Sequence, residues 1–156
     1  MAKIRPFLRG FLSNWFPCEF TVNGIKFVNS EQYMMYNKAL VFGDTETAKK
    51  ILASTSPSDV KSYGRKVKNY NDVIWNGVRQ IIVYDGLMAK FSQNEELKKQ
   101  LLETGDDILV ECNPTDSIWA IHMAGDNPRV QDISQWQGQN LLGFTLMRVR
   151  ENLKNV

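Results

Sequence analysis

Histidine is almost missing from this chain: His122 is the single one among 156 residues. One imidazole leaves no room for a zinc cluster of the usual Cys/His kind, and a Ser-His-Asp triad has one candidate base at most. His122 lies in an apolar, strand-like context that reads as a packed core or rim histidine. Cysteine is scarce too. Cys18 and Cys112 stand far apart, which excludes a disulfide framework and fits a pair of ordinary cytosolic thiols. No apolar run is long enough to span a bilayer, and the first residues lack a signal-peptide core, so the expectation is a cytoplasmic protein without a membrane partner. Nor is there an excess of either charge. Lys and Arg number 19 against 17 Asp and Glu, a net charge of +2, so no strong field marks a broad polyanion-binding face. A nucleotide or one modified base remains open. Repeats, low-complexity tracts and linkers are absent, and the length suits one domain over residues 1–156.

What is present reads as mixed helix and strand. Phe20-Thr21-Val22 and Ile25-Lys26-Phe27-Val28 flank Asn23-Gly24, a hairpin signal. A helix follows from Glu31 with Ser30 as its cap, then a second, capped by Asp44 or Thr45, through Ala53. Ser56-Pro57 opens a third. Apolar residues at helical spacing predict a long helix from about Asn71 to Phe91, although Gly77 and Gly86 lie inside it. Asn94 opens another that Gly105 stops. Ile108–Cys112 and Ser117–Met123 read as two strands, residues 124–139 as loop, and Asn140–Leu153 as a last helix exposing Arg148 or Arg150. The fold class is therefore α+β, a mostly helical domain around a small β-sheet.

Helical spacing puts Glu31 and Lys38 on one face, with Met34 and Met35 between them. Ionisable groups on an apolar stripe either pair as a salt bridge at a core edge or do chemistry, and both readings stand on spacing alone. Ser13-Asn14-Trp15-Phe16-Pro17 sets polar side chains beside aromatics, which suits a ligand wall or an aromatic plug. Arg65, and Arg79 beside Trp75, supply guanidinium groups for bidentate phosphate recognition, or a solvated basic face. Asp116 and Trp119 offer a carboxylate beside a stacking surface, although an Asp in such a turn also caps it. In Gly138-Gln139-Asn140-Leu141-Leu142-Gly143 the backbone N–H groups can hold an anion, or the glycines can serve close packing.

These segments, in this order, resemble the NADAR family, the YbiA-like N-glycosidases that act on N-glycosides of ADP-ribose or ribose phosphate. The resemblance rests on Ser13–Pro17, Ser30-Glu31-Gln32-Tyr33 with Lys38-Ala39, Gly64-Arg65, Trp75 with Arg79, and Lys90–Asn94. It continues through Leu109-Val110-Glu111, Asp116–Trp119, and Asn140–Gly143 with Leu146–Arg150, and so spans about Phe11 to Leu153. It implies a YbiA-like fold, with Glu31 as a catalytic carboxylate, Lys38 as the family lysine, and Asp116 and Trp119 as the matched Asp-x-x-Trp pair. One departure is plain: the family commonly carries glycine after that Trp, and this chain has Ala120-Ile121-His122.

The implied reaction breaks a ribosyl C–N bond through an oxocarbenium-like transition state. Glu31, at a helix N-terminus, is suited to stabilise that cation or activate water. Lys38 either protonates the leaving base or attacks the anomeric carbon, the latter needing a neutral amine. Asp116 joins the acid–base work or holds ribose hydroxyls. Trp119 stacks on a base, and Arg65 and Arg79 take phosphate. Asn14, Trp15, Tyr33, Trp75 and Asn140 complete the candidate substrate contacts. No metal or cofactor is expected. ADP-ribosyl-guanine in DNA or RNA leads the candidate substrates. The alternatives are a phosphoribosylamino-pyrimidine of the riboflavin pathway, or a module that binds ADP-ribose or NAD without turnover.

Overall fold

Asn23 and Gly24 turn the chain as their residue types allow. In the computed structural model, which describes residues 2–155, both have positive φ, 52° and 78°, the signature of a hairpin turn that follows strand twist. They join β2 (Phe20–Val22) to β3 (Ile25–Phe27), paired antiparallel with Phe20 opposite Phe27. The described residues contain six α-helices and four short strands, the α+β class expected. They form two compact units, one of residues 14–94 and one joining residues 2–13 to 95–155. No helix among them is long and apolar enough to cross a membrane.

In the unit of residues 14–94, α1 (Ser30–Val41) packs against α2 (Thr45–Leu52), α3 (Pro57–Gly64) and α4 (Asp72–Gln93). The cap of α1 is Asn29, not Ser30: Asn29 is extended, at φ −165°, and its side chain accepts the Gln32 N–H. Two good capping residues are adjacent here, and the extended one takes the role. Gln32 then ties α1 to the end of α2, donating to the carbonyls of Ile51, Leu52 and Ser54. Ser56 and Asn71 cap α3 and α4 as their positions suggest. α4 runs unbroken through Gly77 and Gly86. At Gly86 a Cβ would collide with the Tyr33 ring, so the glycine is a packing requirement that outweighs its helix propensity. Tyr33 is itself in the core, edge-on to Phe27 with ring centroids 5.0 Å apart.

Asp44 joins α2 to the segment after α3. Its carboxylate accepts from the Thr47 N–H (3.1 Å), the Thr47 hydroxyl (2.6 Å) and the Lys68 N–H (2.9 Å). Those donors, the Lys68 N–H foremost, lower its pKa from 3.8 to about 2. With the folded value below the unfolded one, its stabilisation is complete above about 4 and is lost as pH falls toward about 2. An acid titration of Asp44→Asn followed by circular dichroism is expected to start from lower stability at neutral pH. Its slope between about pH 4 and 2 should be shallower than that of the wild type.

In the other unit β1 (Ile4–Phe7) pairs parallel with β4 (Ile108–Glu111), Ile4 opposite Ile108. α5 (Glu95–Glu103) and α6 (Leu141–Leu153) accompany them. Val110, Cys112, Ile121, Met123 and Val130 form a core with Trp136, whose indole N–H reaches the Val130 carbonyl at 2.9 Å. Cys18 and Cys112 are free thiols. The second strand expected at Ser117–Met123 is not one. Asp116 Oδ1 accepts the N–H groups of Ile118 and Trp119, both at 2.9 Å, which curls the chain. Ile121 N–H reaches Glu111 while the Ile121 carbonyl accepts from Gln137, so loop-to-loop bonds replace a ladder. His122 is exposed and left-handed, φ 61°, rather than packed. Of the two arginines of α6, Arg148 is exposed and Arg150 is buried, donating to Thr104 Oγ1 at 2.9 Å.

Candidate active site

Two of the residues that could do chemistry, Glu31 and Lys38, lie on α1. Glu31, in its first turn, is 6% exposed, and its N–H donates to the Asn14 carbonyl at 3.0 Å. That bond sets the Asn14–Pro17 segment against the start of the helix. Two buried side-chain oxygens beside it, Asn14 Oδ1 and Ser30 Oγ, have no hydrogen-bond partner in the structure. Buried acceptors left open at a helix start are costly unless a bound water or ligand satisfies them.

Two turns along, Lys38 is half-buried between aromatic rings. Its Nζ lies 4.8 Å from the centroid of Tyr70 and 5.6 Å from that of Trp75, within cation–π range. Burial pushes the Lys38 pKa down, the nearby Glu31 carboxylate opposes this, Arg65 adds to it, and Asp72 opposes it. The net direction is downward, so the neutral amine is reached at lower pH than for a free lysine. The charge of Arg79 acts on Tyr70, whose ring faces that amine. Glu31 and Arg65 thus act electrostatically on the Lys38 amine, and the Tyr70 and Trp75 rings lie beside it.

Tyr70 and Asp72 were not singled out from sequence. They lie in the turn entering α4, with the Tyr70 hydroxyl on Asp72 Oδ1 at 2.6 Å and the Phe42 ring 5.4 Å from that of Tyr70. An aromatic two residues before an acidic first turn was the signal available, and it is a common one. Trp15 is 45% exposed, whereas Tyr33 is committed to the core. Lys90, from the Lys90–Asn94 motif, is fully buried beside the rings of Phe16 and Phe91. Its pKa is pushed down to about 8 by burial, against the opposing pull of Cys18.

Asp116, Trp119 and Asn140 lie in the other unit. Asp116 spends Oδ1 on the turn that presents Trp119. Asn140, at φ 52° and fully buried, uses both ends of its amide on β4: Nδ2 donates to the Leu109 carbonyl and Oδ1 accepts the Glu111 N–H, each at 3.0 Å. The anion cradle considered for residues 138–143 is occupied by the protein. The N–H groups of Gln139, Asn140, Leu141 and Leu142 go to the carbonyls of Ser117, Ala120, Ile118 and Trp119. Ala120, the departure from the family's glycine, is buried in that same packing.

Comparison with known proteins places these residues in a family. The NADAR domain description matches residues 5–154. The N-glycosidase R617 of Acanthamoeba polyphaga mimivirus is 44% identical over 89% of this chain and 85% of its own length. A riboflavin biosynthesis protein of Vibrio vulnificus is 32% identical over 93% of the chain, which spans 36% of that longer protein. The NMR structure of the E. coli protein YbiA superposes with a TM-score of 0.81 at 28% identity, covering 99% of this chain and 88% of that one.

Proposed function

The chain belongs to the NADAR domain family, and from that premise we propose that it is an N-glycosidase that hydrolyses the bond between a ribosyl carbon and a base. The observation that carries this reading is the Lys38 amine, held half-buried between two aromatic rings and across from Glu31, with its basicity reduced. Relatives named N-glycosidase support the reaction type.

The chemistry follows from these side chains. The neutral Lys38 amine attacks C1′, the C–N bond to the base breaks, and the base leaves with a proton. Opening of the ribose ring gives an imine, O4′ taking up a proton. Water adds to the imine and releases the sugar and the amine. Glu31 stabilises positive charge at C1′ and then orients or deprotonates that water. Asn14 Oδ1 and Ser30 Oγ accept hydrogen bonds from the water or a ribose hydroxyl. Arg65 and Arg79 face the phosphate or diphosphate.

ADP-ribose attached to guanine in nucleic acid is the substrate we favour, since the two guanidiniums of Arg65 and Arg79 suit a diphosphate and one modified base needs few other phosphate contacts. The second reading, a phosphoribosylamino-pyrimidine, is supported by the name of the Vibrio relative. Mass spectrometry of both substrates after incubation separates them. Free ADP-ribose and unmodified DNA are expected from the wild type, and neither from Glu31→Gln. Turnover of the pyrimidine alone would select the second substrate. Binding of ADP-ribose without turnover of either would leave a sensor. Activity is also expected to rise with pH through the lowered Lys38 pKa and level off below the 10.5 of a free lysine. A kcat/KM profile whose limb sits at the ordinary lysine value would contradict the nucleophilic role.

A further inference from the structure

Tyr70 and Asp72 have no part in the reaction as written, yet both face the amine at its centre. Tyr70 is 43% exposed, so core burial does not account for three directed contacts: Lys38 Nζ on its face, Asp72 on its hydroxyl and Phe42 against its ring. The 2.6 Å bond to Asp72 is in the charge-assisted range. A phenol donating to a carboxylate carries more electron density in its ring, and such a ring holds an ammonium more strongly. Trp75, 6% exposed, is the fixed wall opposite.

Resting on the reading of Lys38 as the reacting amine, we propose that Tyr70, anchored by Asp72, is a positioning residue that holds Lys38 against Trp75 and sets the pH at which the amine loses its proton. The charges facing Lys38 come from every neighbouring element: Glu31 on α1, Arg65 at the end of α3 and Asp72 at the start of α4, while Arg79 on α4 acts on Tyr70. Asp72 favours the ammonium twice, by its own charge and through the ring it polarises. Neutralising it therefore shifts the Lys38 titration to lower pH. With a ring that has no hydroxyl, only the direct part of that effect survives.

The test is a double-mutant cycle on the intact, substrate-free protein. The Lys38 titration is followed by carbon-13 NMR of its Cε, assigned by loss of the signal in Lys38→Ala. Asp72→Asn keeps the shape of the residue in the first turn of α4 and is expected to lower the Lys38 pKa by about half a unit, a cation–π-sized effect. In a Tyr70→Phe background the same substitution is expected to shift it by less than half as much. The acid limb of kcat/KM should move in parallel, which a purely structural role for Tyr70 would not produce. Equal shifts in both backgrounds, or none in either, would overturn the proposal. The titration needs no turnover, so loss of the glycosidase reading registers separately, as inactivity on every substrate.

Discussion

Lys38→Ala is expected to lower kcat by about 10³-fold or more while leaving the far-ultraviolet circular dichroism and melting temperature close to wild type. The size follows from what is removed. The variant loses the nucleophile, and with it the route that splits one difficult displacement into two easier steps. What remains is water attack assisted by Glu31 and by substrate positioning. The fold should tolerate the change because Lys38 is half-buried and its contacts are ring faces rather than core packing. Lys38→Arg separates charge from nucleophilicity. It retains a cation for Tyr70 and Trp75, offers no neutral amine near neutral pH, and should be as inactive as the alanine variant. Steady-state kinetics on a ribosyl N-glycoside checks both. An arginine variant within tenfold of wild type would leave Lys38 an electrostatic role only.

Gly143→Ala should be the most damaging single methyl group in the molecule. A Cβ at this position of α6 would run into the Leu109 carbonyl and lie 2.5 Å from both amide atoms of Asn140. That amide is the clamp that fixes the start of α6 to β4 through two buried hydrogen bonds. Displacing it forfeits about 1–3 kcal/mol per unsatisfied group, and overpacking adds about 1–3 kcal/mol. The better helix propensity of alanine returns about 1 kcal/mol. A net loss of about 3 kcal/mol is expected, seen as a fall of roughly 10 °C in melting temperature by calorimetry. A melting temperature within 2 °C or so of wild type would mean that α6 and β4 adjust to the extra carbon at little cost.

The parts of the fold that were legible in the sequence are those set by neighbouring residues. Asn23-Gly24 fixes a turn because its left-handed geometry belongs to those two residue types. Ser56-Pro57 and Asn71 mark helix starts because the cap acts within three residues, and the charge of Glu31 reaches Lys38 because helical geometry is periodic. What was illegible depends on distant partners. β1 is four residues long, contains Pro6, and finds its partner at Ile108–Glu111 only after the whole of residues 14–94 has intervened. Ser117–Met123 has the composition of a strand, but Asp116 turns it and no neighbouring strand receives it. Arg148 and Arg150 stood as alternatives for exposure because the partner that buries Arg150, Thr104, belongs to another helix end. At the candidate site Lys38 of α1 lies within cation–π distance of Trp75 of α4. Tyr70 and Asp72 were missed because the contacts of a residue just before or at the start of a helix come from distant segments, here Phe42 and Lys38.

The measurement that bears most directly on the reacting amine is borohydride trapping during turnover, followed by peptide mapping. With a ribosyl N-glycoside and wild-type protein, one reduced sugar adduct is expected, located on the peptide carrying Lys38 and absent from Lys38→Ala. Steady turnover with no adduct at Lys38, or an adduct confined to another lysine such as Lys90, would contradict it.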